Sequence, residues 1–253
     1  MGNLQVRNLT QSFAREDGTE LMVLDHLNIA VQDKEFVCIL GSSGCGKTTL
    51  LRLIAGLDTA QSGTILIDGE EMKGPCSKVG FVFQEYSLFP WRSVIDNIVF
   101  GLEMKGIGKE ERYRIAEHYL ELVNLTQFRA NYPAELSGGM RQRVAVARAL
   151  ALDPALLLMD EPFGALDAQT RNMLQIELLE IWEKTKKTII FITHSVDEAV
   201  FLSDRIIVLT PRPGCLCHIM PINLPRPRDR TSPEFAQVRR HVLDLINQKC
   251  SIQ

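Results

Sequence analysis

One segment constrains the fold of this chain more than any other: residues 41–49, which read Gly-Ser-Ser-Gly-Cys-Gly-Lys-Thr-Thr. The pattern fits G-x-x-x-x-G-K-[ST], a loop whose backbone N–H groups surround phosphate oxygens. It follows the apolar run Phe36–Leu40, as expected of a loop that leaves the end of a buried strand. Lys47 would supply a charge to the phosphates and Thr48 a hydroxyl group to Mg²⁺. Alone, this segment predicts only the binding of a nucleoside triphosphate.

We expect nucleotide contacts along this whole segment, which we call the phosphate loop. Its residues are Gly41, Ser42, Ser43, Gly44, Cys45, Gly46, Lys47, Thr48 and Thr49. Cys45 lies beside backbone amides and near Lys47, which predicts a lowered thiol pKa and a reactive thiolate. A buried, inert thiol is the alternative.

Composition excludes several classes of protein. The chain has 253 residues, of which 45% are hydrophobic, enough for one large domain or for a core with a subdomain. Its net charge of −3 argues against a nucleic-acid partner. No apolar run approaches the length of about 18 residues that a membrane span needs. The six cysteines lack paired C-x₂-C spacing, which predicts reduced thiols.

Hydrophobic patterning predicts two kinds of strand. Alternation at Leu4, Val6 and Leu9 indicates a half-buried strand, and similar short strands at Leu27–Val31 and Thr64–Gly69 suggest an N-terminal antiparallel layer. Fully apolar runs suit a parallel sheet that is covered by helices. These runs are Phe36–Leu40, Leu156–Met159, Ile189–Ile192 and Ile206–Leu209.

A helical segment interrupts this α/β pattern. Strand patterns stop between Gln84 and Pro133, and an apolar stripe predicts a helix from Glu111 to Asn124. Six prolines between Pro211 and Pro233 precede a predicted closing helix, whose apolar face would pack on the core. We therefore expect one domain of three parts: an α/β core (1–85 and 151–210), an inserted helical subdomain (about 86–150) and a Pro-rich C-terminal extension with a closing helix (211–253).

Two adjacent acids end one of the apolar strands. Asp160 and Glu161 follow Leu156–Met159 directly. In phosphate-loop enzymes a carboxylate at this edge of the sheet holds Mg²⁺, so we expect Asp160 to do so, through water. Glu161, one residue further, would activate the attacking water. Two solvated acids at a strand end are the alternative.

A second motif occurs in fewer kinds of protein than the phosphate loop does. Residues 136–143 read Leu-Ser-Gly-Gly-Met-Arg-Gln-Arg and resemble the signature sequence of ATP-binding cassette (ABC) proteins. Ser137 is a good N-cap for a helix predicted over Met140–Leu150, and Gly138 and Gly139 leave backbone N–H groups unobstructed for an anion. In the family the signature faces the phosphate loop of a second subunit. The resemblance thus implies a head-to-tail dimer with two ATP molecules in its interface.

The resemblance to ABC ATPases covers almost the whole chain and assigns further residues. Gln84 matches the Q-loop glutamine, which contacts Mg²⁺ or the attacking water and relays to a membrane partner. Asp167, in Ala-Leu-Asp, matches the D-loop that acts across the dimer, and His194 matches the switch histidine at the γ-phosphate. Phe13 matches the aromatic residue that stacks on adenine. An ordinary core phenylalanine is the alternative for Phe13.

Three segments resemble one subgroup, the importer ATPases for nitrate, sulfonates and taurine. They are Glu85–Arg92, His194–Arg205 and Pro211–Gly214. Within the first, residues 88–91 read Leu-Phe-Pro-Trp, an apolar run beside polar neighbours. We expect this run to line a groove for a cytoplasmic helix of the permease. Burial inside the helical subdomain is the alternative.

The resemblance implies the ATPase subunit of a prokaryotic ABC importer on the cytoplasmic face of the cell membrane. Its partners would be transmembrane permease subunits, a second copy of itself or a homologous ATPase subunit, and indirectly a solute-binding protein. A Glu161-activated water would attack ATP while Mg²⁺, Lys47 and His194 stabilise the γ-phosphate. The alternatives are an exporter ATPase, a soluble ABC protein that acts on DNA or ribosomes, and a phosphate-loop kinase. Solute choice would lie in the other subunits.

Overall fold

A computed structural model describes residues 2–249 of the chain. Its elements, in order, are β1 (Leu4–Ala14), β2 (Glu20–Val31), β3 (Phe36–Leu40), α1 (Lys47–Ile54), β4 (Ser62–Ile67), β5 (Glu70–Glu71), β6 (Val79–Val82), α2 (Val94–Met104), α3 (Lys109–Leu122), α4 (Gly138–Ala151), β7 (Leu156–Asp160), α5 (Ala168–Thr185), β8 (Thr188–Thr193), α6 (Val196–Leu202), β9 (Arg205–Leu209), β10 (Leu216–Pro221) and α7 (Pro233–Lys249). None of the helices in this range combines the length and the apolar character needed to cross a bilayer.

The chain divides into two compact units, which we describe separately. The first, the phosphate-loop unit, runs to Cys76 and resumes at Thr188. The second, the signature unit, comprises Ser77–Lys187. The three-part division expected from the sequence, with a helical subdomain over about 86–150, stays a prediction.

The phosphate-loop unit contains the predicted antiparallel layer. Its strands lie in the order β2-β1-β4-β5, and β1 pairs antiparallel with both β2 and β4. Leu4, Val6 and Leu9 are buried as predicted, although the strand is irregular between Val6 and Leu9, where its register with β2 shifts. The residues between them are exposed.

A second set of strands in the same unit carries the phosphate loop. β3 pairs parallel with β8 and with β9, and every residue of β3 is buried. The continuous apolar runs at β3, β8 and β9 are therefore buried parallel strands, as expected. β10 pairs antiparallel with β9 and is mostly half-exposed, and the sequence pattern did not predict it.

The signature unit combines one parallel strand pair with four helices of ten residues or more. β6 pairs parallel with β7, and α2, α3 and α4 contact one another. α3 begins two residues before the predicted Glu111 and ends two before the predicted Asn124. Asn124 adopts a positive φ of 56°, which terminates the helix and explains the earlier end. The apolar residues Leu174, Leu178 and Ile181 of α5 are buried.

The closing helix predicted near the C-terminus is confirmed as α7, which contacts α6. Phe235, Val242 and Leu245 are buried on its inner face. The segment before it contributes a buried guanidinium group at Arg228, which donates to the carbonyl oxygens of Val200 and Ser203 at 2.6 and 2.7 Å. Burial lowers the pKa of Arg228 to about 10. The extension is thus fastened to the end of α6.

The expectation that all thiols are reduced is wrong at one position. Cys38, Cys45, Cys76 and Cys215 are free, whereas Cys217 is disulfide-bonded. Cys217 lies half-exposed on the strand β10. Cys38, by contrast, is fully buried in β3, and burial raises the pKa of its thiol. Cys250 lies outside the described residues.

Candidate nucleotide site

The phosphate loop leaves the carboxyl end of β3 and runs directly into α1. Gly46 is the N-cap of α1 with φ 99°, in the left-handed region. A Cβ at this position would lie 2.8 Å from Leu24 and 2.9 Å from Val23, so only glycine fits both the backbone conformation and the space. The loop thereby delivers the N-terminus of a helix to the edge of the sheet, which is a site for anions.

Lys47 is buried within this loop, while several of the neighbouring residues are exposed. Its Nζ donates to the carbonyl oxygens of Gly41 at 2.9 Å and Ser42 at 3.0 Å, and the residue is only 5% exposed. Ser43 and Thr48 are exposed, together with Ser42 and Gly44. The loop therefore surrounds one ammonium group and presents an open polar face, as a phosphate site requires.

The prediction of a reactive Cys45 is wrong. Cys45 is 1% exposed, and its Sγ lies 2.5 Å from the position that a Cβ would take on Gly41. Burial raises the pKa of this thiol, and the nearby charge of Lys47 opposes that shift without overcoming it. The thiol packs inside the loop, so any contact of residue 45 with a nucleotide must come from its backbone.

His194 follows β8 at the same edge of the sheet as the phosphate loop. Leu40 of β3 lies opposite Thr193 of β8 in a parallel pairing, so Gly41 and His194 leave neighbouring strands side by side. His194 is exposed, and Thr193 anchors the turn around it, because its hydroxyl group donates to the Glu198 carboxylate and accepts from the N–H of Ser195 at 2.9 Å. The position suits a histidine that reaches a bound phosphate.

Phe13 lies near the end of β1, opposite Leu21 in the antiparallel pairing with β2. Its side chain is 44% exposed. The alternative of an ordinary core phenylalanine is therefore wrong, because an aromatic ring that packs in a core loses nearly all of its exposure. An exposed ring is available for stacking, and its contact with adenine stays a prediction.

Gln84, Asp160 and Glu161 come together within the signature unit. Val82 of β6 lies opposite Met159 of β7, so the residues after both strands meet at one edge. Gln84 Nε2 and Glu161 Cβ lie 3.9 and 4.0 Å from the same point, the position that a Cβ would take on Gly164. Asp160 is buried and Glu161 half-exposed. This edge therefore carries an amide and two carboxylates, whose roles stay a prediction.

Glu161 has an unusual backbone conformation. Its φ is 41°, in the left-handed region that non-glycine residues seldom adopt, and its carbonyl accepts from the N–H of Gly164 at 3.0 Å. Such a conformation costs about 1–2 kcal/mol. Strain of this kind clusters at functional sites because it aims a side chain in a direction that a relaxed backbone would not allow.

The signature motif begins α4, which starts two residues before the predicted Met140 and ends one residue after the predicted Leu150. Ser137 is the N-cap, and its Oγ accepts from the N–H of Met140 at 3.3 Å. Ser137 is exposed and Gly138 half-exposed, whereas Gly139 is buried. Asp167 likewise caps α5, where its Oδ1 accepts from the N–H of Thr170 at 3.0 Å. These hydrogen bonds hold the pKa of the Asp167 carboxyl below its usual value.

The apolar run 88–91 forms a partly exposed surface, which ring contacts and a hydrogen bond hold in place. Trp91 is 71% exposed, so the alternative of burial inside the subdomain is wrong for this residue. Its ring lies 5.6 Å from that of Phe89, which in turn lies 4.5 Å from the ring of Phe100. Asn97 fastens the turn, because its Oδ1 accepts from the N–H of Phe89 at 2.8 Å. We call Leu88, Phe89, Pro90 and Trp91 the Trp91 surface.

The candidate ligands for Mg²⁺ are Thr48, Gln84 and Asp160. They offer a hydroxyl, an amide and a carboxylate oxygen, which are the hard donors that Mg²⁺ prefers. Within residues 2–249, no three side chains of His, Cys, Asp or Glu form a metal cluster. This donor set fits an ion that is held jointly with substrate phosphates and water rather than by a protein cage.

Sequence reasoning missed Arg212, which contacts the phosphate loop. Its Nε donates to the carbonyl oxygen of Gly44 at 3.0 Å, across a separation of 168 residues. The only signal in the sequence is the Pro-Arg-Pro-Gly segment at 211–214, which marks a turn without saying where that turn packs.

Comparison with known proteins shows which protein family the chain resembles. The ABC transporter family matches residues 24–164. The chain is 57% identical over 243 residues to an uncharacterized ABC transporter ATP-binding protein of Methanocaldococcus jannaschii, covering 96% of this chain and 91% of that one. It is 47% identical to a nitrate import ATP-binding protein of Synechocystis sp. (96% and 95% covered). It is also 47% identical to an aliphatic sulfonates import ATP-binding protein of Bacillus thuringiensis (99% and 98% covered).

Solved structures agree with the fold. One is an ATP-binding cassette in a dimeric post-hydrolysis state bound to ADP and Pi, with TM-score 0.76 and 31% identity over 87% of this chain and 99% of that one. Another is a cassette from Clostridium perfringens, part of the ABC transporter complex cbiONQ, with TM-score 0.78 and 25% identity over 96% and 94%. The predicted fold class, a phosphate-loop NTPase with an N-terminal antiparallel layer, is confirmed.

Proposed function

The chain belongs to the ABC transporter ATPase family, and we propose that it is the ATP-hydrolysing subunit of a prokaryotic importer for a small anion such as nitrate, a sulfonate or taurine. Membership rests on the family match over residues 24–164 and on relatives that share 47–57% identity over nearly the whole chain. The chain is thus an ATP-binding ATPase. Its role in import, its solute and the roles of its residues are the proposal.

We assign hydrolysis to side chains that follow the parallel strands of each unit. Lys47 and His194 hold the γ-phosphate, since both follow strands of the phosphate-loop unit at its carboxyl edge. Glu161 accepts a proton from the attacking water at a carboxylate oxygen, and Gln84 orients that water. Mg²⁺, bound through Thr48, Gln84 and Asp160, would neutralise charge on the β- and γ-phosphates. The side chains form no covalent intermediate, so positioning and electrostatics supply the catalysis.

A second subunit completes the site. Ser137, Gly138 and Gly139 present the N-terminus of α4, and Asp167 lies at the N-terminus of α5. In our proposal these residues contact the ATP held by the phosphate loop of the other subunit, so that ATP is part of the dimer interface. Loss of the γ-phosphate then loosens the dimer. The dimeric ADP-bound cassette among the similar structures supports this arrangement.

The Trp91 surface is assigned to the permease. An exposed tryptophan that packs against a half-buried phenylalanine offers a large apolar anchor at little cost in conformational entropy. Gln84 lies a few residues upstream in the chain. Movement at the Trp91 surface is therefore transmitted along a short segment to the hydrolytic site. A solute-binding protein acts through the permease, on the other side of the membrane.

The importer assignment rests on similarity to import ATP-binding proteins that extends along nearly the whole chain. Two import ATP-binding proteins, one for nitrate and one for aliphatic sulfonates, match at 47% identity along nearly their full length. Both solutes are small anions. Because this subunit does not contact the solute, the choice between them depends on its partners.

Uptake by intact cells tests the proposal. In a strain that lacks this gene, we expect uptake of one labelled anion among nitrate, an aliphatic sulfonate and taurine to fall. The wild-type gene should restore it and Glu161→Gln should not. Glu183→Gln is the matched control, since Glu183 is exposed on α5 and should support normal uptake. Ligand binding by a solute-binding protein encoded nearby would identify the anion.

Other results would exclude the importer. Restoration of uptake by Glu161→Gln would remove Glu161 from hydrolysis. Unchanged uptake of all three anions together with reduced efflux of a compound would indicate an exporter ATPase. Unchanged uptake and efflux would indicate a soluble ABC protein that does not transport.

A further inference from the structure

A tight turn joins β9 to β10 and is stiffened by its own hydrogen bonds. The N–H of Thr210 donates to the carbonyl oxygen of Cys215 at 3.0 Å. The Thr210 hydroxyl group accepts from the N–H of Cys215 at 2.8 Å and donates to the carbonyl oxygen of Pro213 at 2.7 Å. One threonine therefore closes the turn from both sides, which leaves Arg212 at its tip with a defined direction.

This turn is fastened between β2 and the phosphate loop. The N–H of Gly214 donates to the carbonyl oxygen of Val23 at 2.8 Å, and the Gly214 carbonyl accepts from the N–H of Asp25 at 3.3 Å. On its other side, a Cβ at position 214 would lie 2.2 Å from the carbonyl oxygen of Cys45. Only glycine allows so close an approach. The turn is thus packed directly against the backbone of the phosphate loop.

Arg212 makes a charge-assisted hydrogen bond to that loop. Its Nε donates to the carbonyl oxygen of Gly44 at 3.0 Å. Within residues 2–249 it forms no ion pair with a carboxylate, so its charge acts on this carbonyl. Lys47 holds the carbonyl oxygens of Gly41 and Ser42. Two cations therefore hold three carbonyl oxygens of the loop. One cation is Lys47, within the loop, and the other is Arg212, in a turn far along the chain.

We propose that Arg212 is a positioning residue for the nucleotide, which holds the peptide between Gly44 and Cys45 and with it the shape of the phosphate loop. The peptide group is planar, so fixing the Gly44 carbonyl also fixes the direction of the Cys45 N–H, which closes the turn of the loop by donating to the carbonyl oxygen of Ser42 at 3.3 Å. A loop that is held in its binding geometry before the ligand arrives loses less entropy on binding. The C-terminal extension thereby acts on nucleotide affinity. This inference rests on the proposed assignment of residues 41–49 to the nucleotide.

Two single variants and their combination test this role. Arg212→Ala removes the hydrogen bond at an exposed position, where folding is not at risk. Gly214→Ala displaces the turn by its clash with Cys45. Each should raise the Kd for MgATP and the KM about three- to tenfold, the loss expected for one exposed charge-assisted hydrogen bond. Turnover at saturating ATP should change less than twofold, because the hydrolytic groups are untouched. The effects of the two substitutions should combine to less than their sum, since Gly214→Ala also displaces the Arg212 contact.

The controls separate a failure of this inference from a failure of the proposed function. Arg114→Ala removes an exposed arginine that pairs with Glu111 on α3, and it should leave Kd and KM unchanged. Lys47→Ala should weaken binding strongly. Unchanged binding in Lys47→Ala would overturn the nucleotide site itself.

If Lys47→Ala weakens binding but Arg212→Ala leaves Kd and KM as in the wild type, Arg212 is no positioning residue. A lower melting temperature without any change in KM would mean that Arg212 only stabilises the fold, and it would equally overturn the inference. Strictly additive effects of Arg212→Ala and Gly214→Ala would also contradict it.

Discussion

Leu40 and Thr193 lie opposite each other in the parallel pairing of β3 with β8. The next residue after Leu40 opens the phosphate loop, and the next after Thr193 is His194. Because both strands run in the same direction, the loop and the histidine leave the sheet at one edge, which is where α/β proteins bind their ligands. This register is the structural basis for assigning His194 to the γ-phosphate.

Replacing Lys47 with alanine should weaken nucleotide binding itself. Its ammonium group is buried in the loop and, in our proposal, moves from the Gly41 and Ser42 carbonyl oxygens to the phosphates. Loss of a charge-assisted contact predicts an increase in the Kd for MgATP of about 10- to 100-fold. Calorimetry measures this, with Lys105→Ala, whose ammonium group lies in the signature unit, as the control. Equal affinities in the two variants would refute the assignment.

Ser137→Arg should block dimer closure while leaving ATP binding to a single subunit intact. The substitution places a bulky cation at the exposed N-terminus of α4. Ser137→Asn keeps an N-cap and serves as the control for helix stability. ATPase activity should fall by at least tenfold in the arginine variant, while its Kd for MgATP as a monomer stays within twofold of wild type. Loss of monomer binding would place the signature beside its own nucleotide.

Trp91→Ala should uncouple transport from hydrolysis. Because the tryptophan is 71% exposed, its truncation should change the free energy of unfolding by less than about 0.5 kcal/mol. The isolated subunit should keep its ATPase activity, while solute uptake by cells falls sharply because an interface loses its aromatic anchor. Ile176→Ala, an exposed apolar position on α5, should transport normally. Wild-type uptake by the Trp91 variant would separate this surface from the permease.

Cys45 should resist labelling by maleimide at neutral pH. Its thiol is buried, and burial raises its pKa, so little thiolate is present and little of it is accessible. The half-exposed Cys76 and Cys215 should be labelled first. Mass spectrometry of briefly treated protein distinguishes the sites, and Cys45 should react only after unfolding. Rapid labelling of Cys45 in the native protein, with protection by MgATP, would contradict the structure.

Features that depend on neighbours in the chain were predictable. The phosphate loop, the acids at the end of β7 and the cap at Ser137 follow from motifs whose geometry spans a few residues. The buried strands followed from continuous apolar runs. The bounds of α3 differ from the prediction by two residues at each end, and its earlier end depends on the left-handed backbone at Asn124, which hydrophobic periodicity does not register.

Features that depend on distant contacts were not predictable. Neighbours in the chain favoured a low pKa for Cys45, but its environment is set by packing inside the loop. The approach of Arg212 to Gly44 spans 168 residues and leaves no periodic signal. Trp91 is apolar and could equally have been buried, and only the tertiary structure shows its exposure.

The molar mass of Glu161→Gln in the presence of MgATP tests the central claim most directly. Removal of a general base slows hydrolysis by ~10²–10⁴-fold, while the amide keeps the shape of the side chain, so ATP should remain in the interface. Size-exclusion chromatography with light scattering should therefore give twice the mass of one chain with MgATP and a single chain with MgADP. A monomer under both conditions, or turnover close to that of the wild type, would contradict an ATP-bound dimer in which Glu161 activates the water.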